Sequence, residues 1–122
     1  MTNNSGTLQD KTGAPVTVTD DPGERRYVVT VDGERAGLAS YADRTDKDGV
    51  AQRVFYHTEV SEAFGGRGLA TILVKEALDD ARAQGKKIVG VCPLVAAFLK
   101  KHPEYSDATN RVTKEILDWL GA

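Results

Sequence analysis

His57-Thr58-Glu59-Val60-Ser61-Glu62-Ala63-Phe64-Gly65-Gly66-Arg67-Gly68-Leu69-Ala70-Thr71 is the stretch on which the fold turns. It begins at the end of a run, 50–60 (VAQRVFYHTEV), whose β-branched and aromatic residues read as a long strand. It ends in a run whose apolar residues, Leu69, Ile72, Leu73, Ala77, Leu78 and Ala81, recur every three or four positions. That is the spacing of one helix face, and it predicts a helix over 66–84. Lys75, Glu76, Asp79, Asp80 and Arg82 fall mainly on the other side and read as a solvated face without function. Gly85 is a natural helix stop, and 87–91 (KIVGV) reads as a short buried strand. Strand, helix and strand make one β-α-β unit, so 50–60 and 87–91 should run parallel.

Upstream, the pattern is that of an antiparallel meander. Residues 16–19 could form a short edge strand, followed by the turn signal Asp20-Asp21-Pro22-Gly23. Residues 26–32 (RYVVTVD) read as a strand, Asp32-Gly33 as a hairpin turn, and 34–42 as the return strand. The charged run 43–49 reads as a turn. Downstream, 93–101 predicts a helix with Val95, Phe98 and Leu99 inward, ending near Pro103. Residues 113–120 predict a last short helix carrying Ile116, Leu117 and Trp119. The expected fold is α+β. A mixed, mostly antiparallel sheet with one β-α-β unit and helices packed on it fills a single domain, 16–122, behind a flexible tail, 1–15.

Composition narrows the functions. The 122 residues carry 16 Lys and Arg against 18 Asp and Glu, a formal charge of −2, so no nucleic-acid partner is expected. No run approaches the roughly 20 apolar residues of a membrane span, so no membrane partner is expected either. The polar start lacks the apolar centre of a signal peptide. The lone cysteine, Cys92, excludes an internal disulfide framework and a cysteine-rich metal site, and it fits a reducing compartment. A cytoplasmic protein, a monomer or weak homodimer without metal, is the expectation.

Three glycines at a helix entrance ask for a reason, since glycine costs about 1 kcal/mol in a helix interior. A tight connection without a ligand is one. The other is phosphate: a helix N-terminus offers unpaired N–H groups and a partial positive charge. Gly65, Gly66 and Gly68 would bare those groups, and Arg67 could add a guanidinium. The run GxxxxGK[ST] of a P-loop is absent. A dinucleotide fingerprint would need Gly or Ala where Thr71 stands, and would follow the first strand of a parallel sheet.

The segment from Val60 to Ala70, with the helix behind it, resembles motif A of the GNAT superfamily of acyl-CoA-dependent N-acyltransferases, Q/R-x-x-G-x-G/A. Gly66-x-Gly68 supplies the two glycines, while Ala63 stands where Gln or Arg is usual. With His57-Thr58-x-Val60, Cys92-Pro93 and His102-Pro103-Glu104-Tyr105, the chain is similar from about Arg26 to Asp107 to the small single-domain YjdJ-like group. The resemblance implies a minimal fold of that superfamily, acetyl-CoA (coenzyme A) as cofactor, and acetyl transfer to a small-molecule or protein amine. It places Thr58, Glu59 and Val60 along the pantetheine arm and the pyrophosphate at Gly65, Gly66, Arg67, Gly68, Leu69, Ala70 and Thr71. A protein that holds acetyl-CoA without turnover is the alternative.

Acyl transfer needs a base for the amine and an acid for the departing thiolate. A histidine of ordinary pKa suits that base, so His57 is a candidate; a packed, hydrogen-bonded role is the usual alternative, and the resemblance brings the catalytic role level with it. Strand alternation would put Phe55, His57 and Glu59 on one face and Tyr56, Thr58 and Val60 on the other. Glu59 is the competing base, but a solvated strand-end carboxylate is the favoured reading of it. Cys92 precedes Pro93 and so becomes a helix N-cap, where a thiol can gain thiolate character. It could accept the acetyl group, protonate the leaving thiolate, or be a small buried apolar residue. Phe98 faces the cofactor arm or the core. Lys100 and Lys101 could meet the 3′-phosphate or simply suit the helix dipole, and the resemblance offers Tyr105 as an acid although its spacing does not clearly match.

Overall fold

A computed structural model of the chain describes residues 8–121. Five strands form one sheet in sequence order: β1 Val16–Asp21, β2 Arg26–Val31, β3 Glu34–Thr45, β4 Ala51–Val60 and β5 Lys87–Gly90. The first four pair antiparallel, each with the next, because short turns join them. β5 returns through helix α1, Leu69–Ala83, and pairs parallel with β4. Helices α2, Pro93–Lys101, and α3, Lys114–Leu120, complete the domain. The class, the mixed sheet and the single β-α-β unit are those expected from sequence. No helix among the described residues is long and apolar enough to cross a membrane.

The core lies between one sheet face and α1 and α2. Tyr27, Val29 and Val31 alternate inward from β2, and Leu73, Ala77, Leu78 and Ala81 meet them from α1. Val95 and Phe98 close the layer from α2. Full burial of each larger side chain stabilises by about 1.5–3 kcal/mol. α3 covers the other face, where Ile116 packs on Val54 and Val89. Leu117 and Trp119, carried on the same helix, stay exposed. Trp119 carries the Arg44 guanidinium of β3 5.4 Å from its ring centre.

The structure departs from the sequence reading in four places. β3 runs on to Thr45 instead of ending at Ala42, because Asp43 and Arg44 face Arg53 and Gln52 across the ladder. Opposite partners make charged residues acceptable in a strand. Arg53, buried, places Nε 2.8 Å and Nη2 2.9 Å from the Asp43 carboxylate, and Nη1 2.6 Å from the Tyr27 hydroxyl oxygen. The polar side of α1 is not merely solvated, since Asp80 accepts the Tyr27 hydroxyl hydrogen at 2.6 Å.

The third departure is a β-bulge. Ser40 pairs with His57 but Tyr41 pairs with Phe55, so Tyr56 is one residue in excess on β4. The fourth concerns 1–15. Residues 1–7 lie outside the described residues, but residues 8–15 form a folded loop rather than a free tail. Gln9 bridges to Pro15, and Val16 donates its N–H to the Leu8 carbonyl at 3.0 Å. The Asp10 side chain is fully buried.

Candidate active site

The bulge at Tyr56 decides which residues face each other. Beyond it, Thr58 and Val60 join Phe55 on the side of α1 and α2, while Tyr56, His57 and Glu59 turn to the other side. The expected grouping of Phe55 with His57 and Glu59 is therefore wrong by one residue, since an extra residue inverts a period-two pattern.

The same point opens the sheet. Pairing of β4 with β5 ends at Phe55 and Gly90, and the Phe55 carbonyl accepts the N–H groups of both Val91 and Cys92, at 3.0 and 2.9 Å. Residues 56–60 keep β3 on one side and have no strand on the other. An open strand edge offers backbone donors and acceptors to an extended ligand. Thr58, Glu59 and Val60 lie on this edge.

Cys92 lies across the opening. It is the N-cap of α2, as expected, and is 4% exposed. Its thiol points at the Thr58 hydroxyl, Sγ to Oγ1 3.4 Å. His57 is exposed on the opposite face, with Nε2 2.8 Å from Glu59 Oε1. An ionised carboxylate only accepts, so Nε2 carries the hydrogen, and in the neutral ring Nδ1 then keeps the free lone pair. His57 and Glu59, weighed as rival bases, are thus one hydrogen-bonded pair. His57 and Cys92 flank the β4–β5 opening from opposite faces.

Beyond β4 the chain makes a 3-10 turn, Glu62–Phe64, and enters α1 with Gly66 at φ 79° and Gly68, the N-cap, at φ 77°. These left-handed values disfavour a side chain at either position. α1 has no side-chain cap and no acidic residue in its first turn. Among the described residues, no protein acceptor takes the N–H of Gly66, Arg67, Gly68, Leu69, Ala70 or Thr71. Six consecutive free donors line an open cavity of about 330 Å³. Arg67, Gly68, Leu69 and Ala70 are buried or half-buried, where donors require a partner, so such a run suits an anion.

Two predicted members of the cradle behave otherwise. The Gly65 N–H is already donated to the Glu62 carbonyl at 3.0 Å. Arg67 turns aside: Nη1 lies 3.3 Å from Asp10 Oδ2, and the guanidinium stacks 5.2 Å from the Phe64 ring centre. Leu69 offers only its backbone, because its side chain is in the core. Ala70 and Thr71 also line a second cleft, between α1 and α2, with Phe98, Lys101 and His102. Phe98 packs in the core and also lines this cleft. Tyr105 is buried against Phe98 and donates its hydroxyl hydrogen to Asp79, and burial pushes its pKa up. It is a core residue away from the opening.

Asp10 and Lys11 escaped the sequence reading. Asp10 Oδ1 accepts from the Thr12 N–H, the Thr12 hydroxyl and the Ala14 N–H at 2.8, 2.6 and 3.1 Å. These bonds, the Thr12 hydroxyl foremost, hold its carboxyl below the usual range. Asp-x-Thr ahead of Gly13 is a side-chain turn signal that was legible as local structure. Its docking onto a helix 57 residues away was not.

A family model described as GCN5-related N-acetyl-transferase matches residues 26–108. Protein NATD1 of Homo sapiens and that of Bos taurus are each 32% identical over 94 residues, covering 75% of this chain and 78% of theirs. A GCN5-like protein from Staphylococcus aureus, solved in solution, superposes with a TM-score of 0.56 at 21% identity, over 80% of this chain and 90% of that one. A ribosomal-protein-alanine N-acetyltransferase from Brucella melitensis gives 0.53 at 21% identity, over 72% of this chain and 62% of its own.

Proposed function

The chain belongs to the GCN5-related N-acetyltransferase family, and from that premise we propose that it transfers acetyl from acetyl-CoA to an amine, as a minimal, YjdJ-like member. The observation that carries the reading is the run of six free N–H groups, Gly66 to Thr71, at an uncapped helix beside an open strand edge.

Acetyl-CoA, when bound, supplies an activated thioester. The N–H groups of Gly66 to Thr71 and the positive end of α1 neutralise the pyrophosphate. The bare edge at Thr58, Glu59 and Val60 aligns the pantetheine arm, and N–H groups there polarise the carbonyl. His57 takes the proton of the amine at Nδ1, while Glu59 holds the ring through Nε2–H. Cys92, on the other face, gives its thiol proton to the leaving sulfur. The amine thus approaches from the side of α3 and the cofactor from the side of α1 and α2.

Calorimetric titration with acetyl-CoA, followed by an assay of thiol release with a panel of amines, tests this. About one acetyl-CoA per chain and amine-dependent release are expected. Binding without amine-dependent release would leave a holding protein, and no binding up to millimolar cofactor would overturn the reading.

A further inference from the structure

We propose that residues 8–15 complete the cofactor cradle and that Lys11 supplies its working cation, an ammonium for the pyrophosphate. The inference rests on the phosphate reading of the α1 N-terminus. These residues lie outside the span that matches the family, 26–108.

The segment is fixed to the turn at three points. The Lys11 N–H donates to the Arg67 carbonyl at 3.1 Å. Asp10 Oδ2 holds Arg67 Nη1 at 3.3 Å. The Lys11 methylenes lie over Gly68, with Cε 3.2 Å from where a Cβ of Gly68 would stand. The ammonium is one bond beyond Cε, and Gly68 itself lines the cavity of the free N–H groups.

Charge explains why a second cation is needed. A pyrophosphate diester carries two negative charges at neutral pH. Arg67, the cation of the turn itself, is engaged by the buried Asp10 and stacked on Phe64. Among the described residues no carboxylate pairs with Lys11. A lysine on a flexible stem is a point charge that follows either phosphate, whereas a clamped guanidinium cannot. Asp10 therefore serves as a buried anchor that spends Arg67 on structure and presents Lys11 to the ligand. The plain alternative is a lysine stem that merely covers a glycine.

Lys11→Met keeps the methylenes over Gly68 and removes the charge, and Lys11→Arg restores it. Calorimetry with acetyl-CoA and with dephospho-CoA, and kinetics with a truncated acetyl thioester lacking all phosphates, separate the possibilities. Lys11→Met should weaken both nucleotides about tenfold, the scale of one charge-assisted contact. Lys11→Arg should return to within about threefold. The loss should fall in KM rather than kcat, with the thermal midpoint and the truncated thioester unaffected. Unchanged or tighter binding by Lys11→Met overturns the proposal, as does a penalty that vanishes with dephospho-CoA or one shared by the truncated thioester. If the unaltered protein binds no acetyl-CoA, the phosphate reading itself fails and takes this inference with it.

Discussion

Glu59 sits two residues beyond His57 and still reaches its ring, because both side chains leave β4 on the same face, 2.8 Å apart. That contact selects a tautomer and leaves one nitrogen free for a proton. Cys92 is buried against Thr58 on the other face. His57→Ala should lower amine-dependent thiol release by about a hundredfold or more, the scale of a lost general base. It should leave acetyl-CoA affinity unchanged. Single-turnover kinetics beside calorimetry check this, and undiminished release would move the base elsewhere. Its neighbours in sequence mark His57 as a candidate base, but the face it takes depends on the register with β3, where Ser40 lies opposite it.

At the scale of the element, β4 works as two strands in one. Residues 52–55 are buried on both faces, between α1 and α3. Residues 56–60 are past the bulge, open on one edge and supported only by β3. That support is close: a Cβ on Gly37 would stand 2.5 Å from the Glu59 carbonyl oxygen and 3.1 Å from Val60 Cα. Backbone cannot step aside as a flexible side chain can. Gly37→Ala should therefore cost about 1–3 kcal/mol in urea denaturation. It should also impair acetyl-CoA binding, since the displaced residues are those of the proposed pantetheine edge. A variant as stable as the parent would contradict the close packing of β3 on β4.

Across the whole molecule, the two ends of the sheet are tied by different means. At the turn end, Asp10 joins the N-terminal segment to α1. At the far end, Arg53 links Asp43 and Tyr27, and Lys86 reaches Asp43 at 2.9 Å. Burial alone would raise the Asp43 carboxyl, but the hydrogen bonds from Arg53 and Lys86 outweigh it and hold it low. Asp10 is low as well. A carboxyl whose folded pKa lies below its unfolded value of about 3.9 contributes stability that is complete above that value. The contribution drains as pH falls through the folded value. The thermal midpoint should stay level from neutrality to about pH 5 and fall steeply below about pH 4, with Asp43→Asn flattening the fall. A midpoint level down to about pH 2 would show that neither carboxylate is coupled to folding.

The sequence by itself determined the element order, the parallel return of β5 and the glycine entrance to α1. Hydrophobic period, turn residues and helix stops are local properties, written in neighbouring residues. It also held enough of the glycine and His-Thr-x-Val spacing to indicate the family that the matches then established. Only the tertiary structure decided which face His57 takes, because one unpaired residue at Tyr56 inverts the alternation and is visible only against the register of β3. Only the tertiary structure placed Asp10 and Lys11 on Gly68 and Arg67, or turned Arg67 away from the cradle. Those contacts join residues more than fifty positions apart, and their geometry depends on how α1 packs on the sheet rather than on any neighbour in the chain.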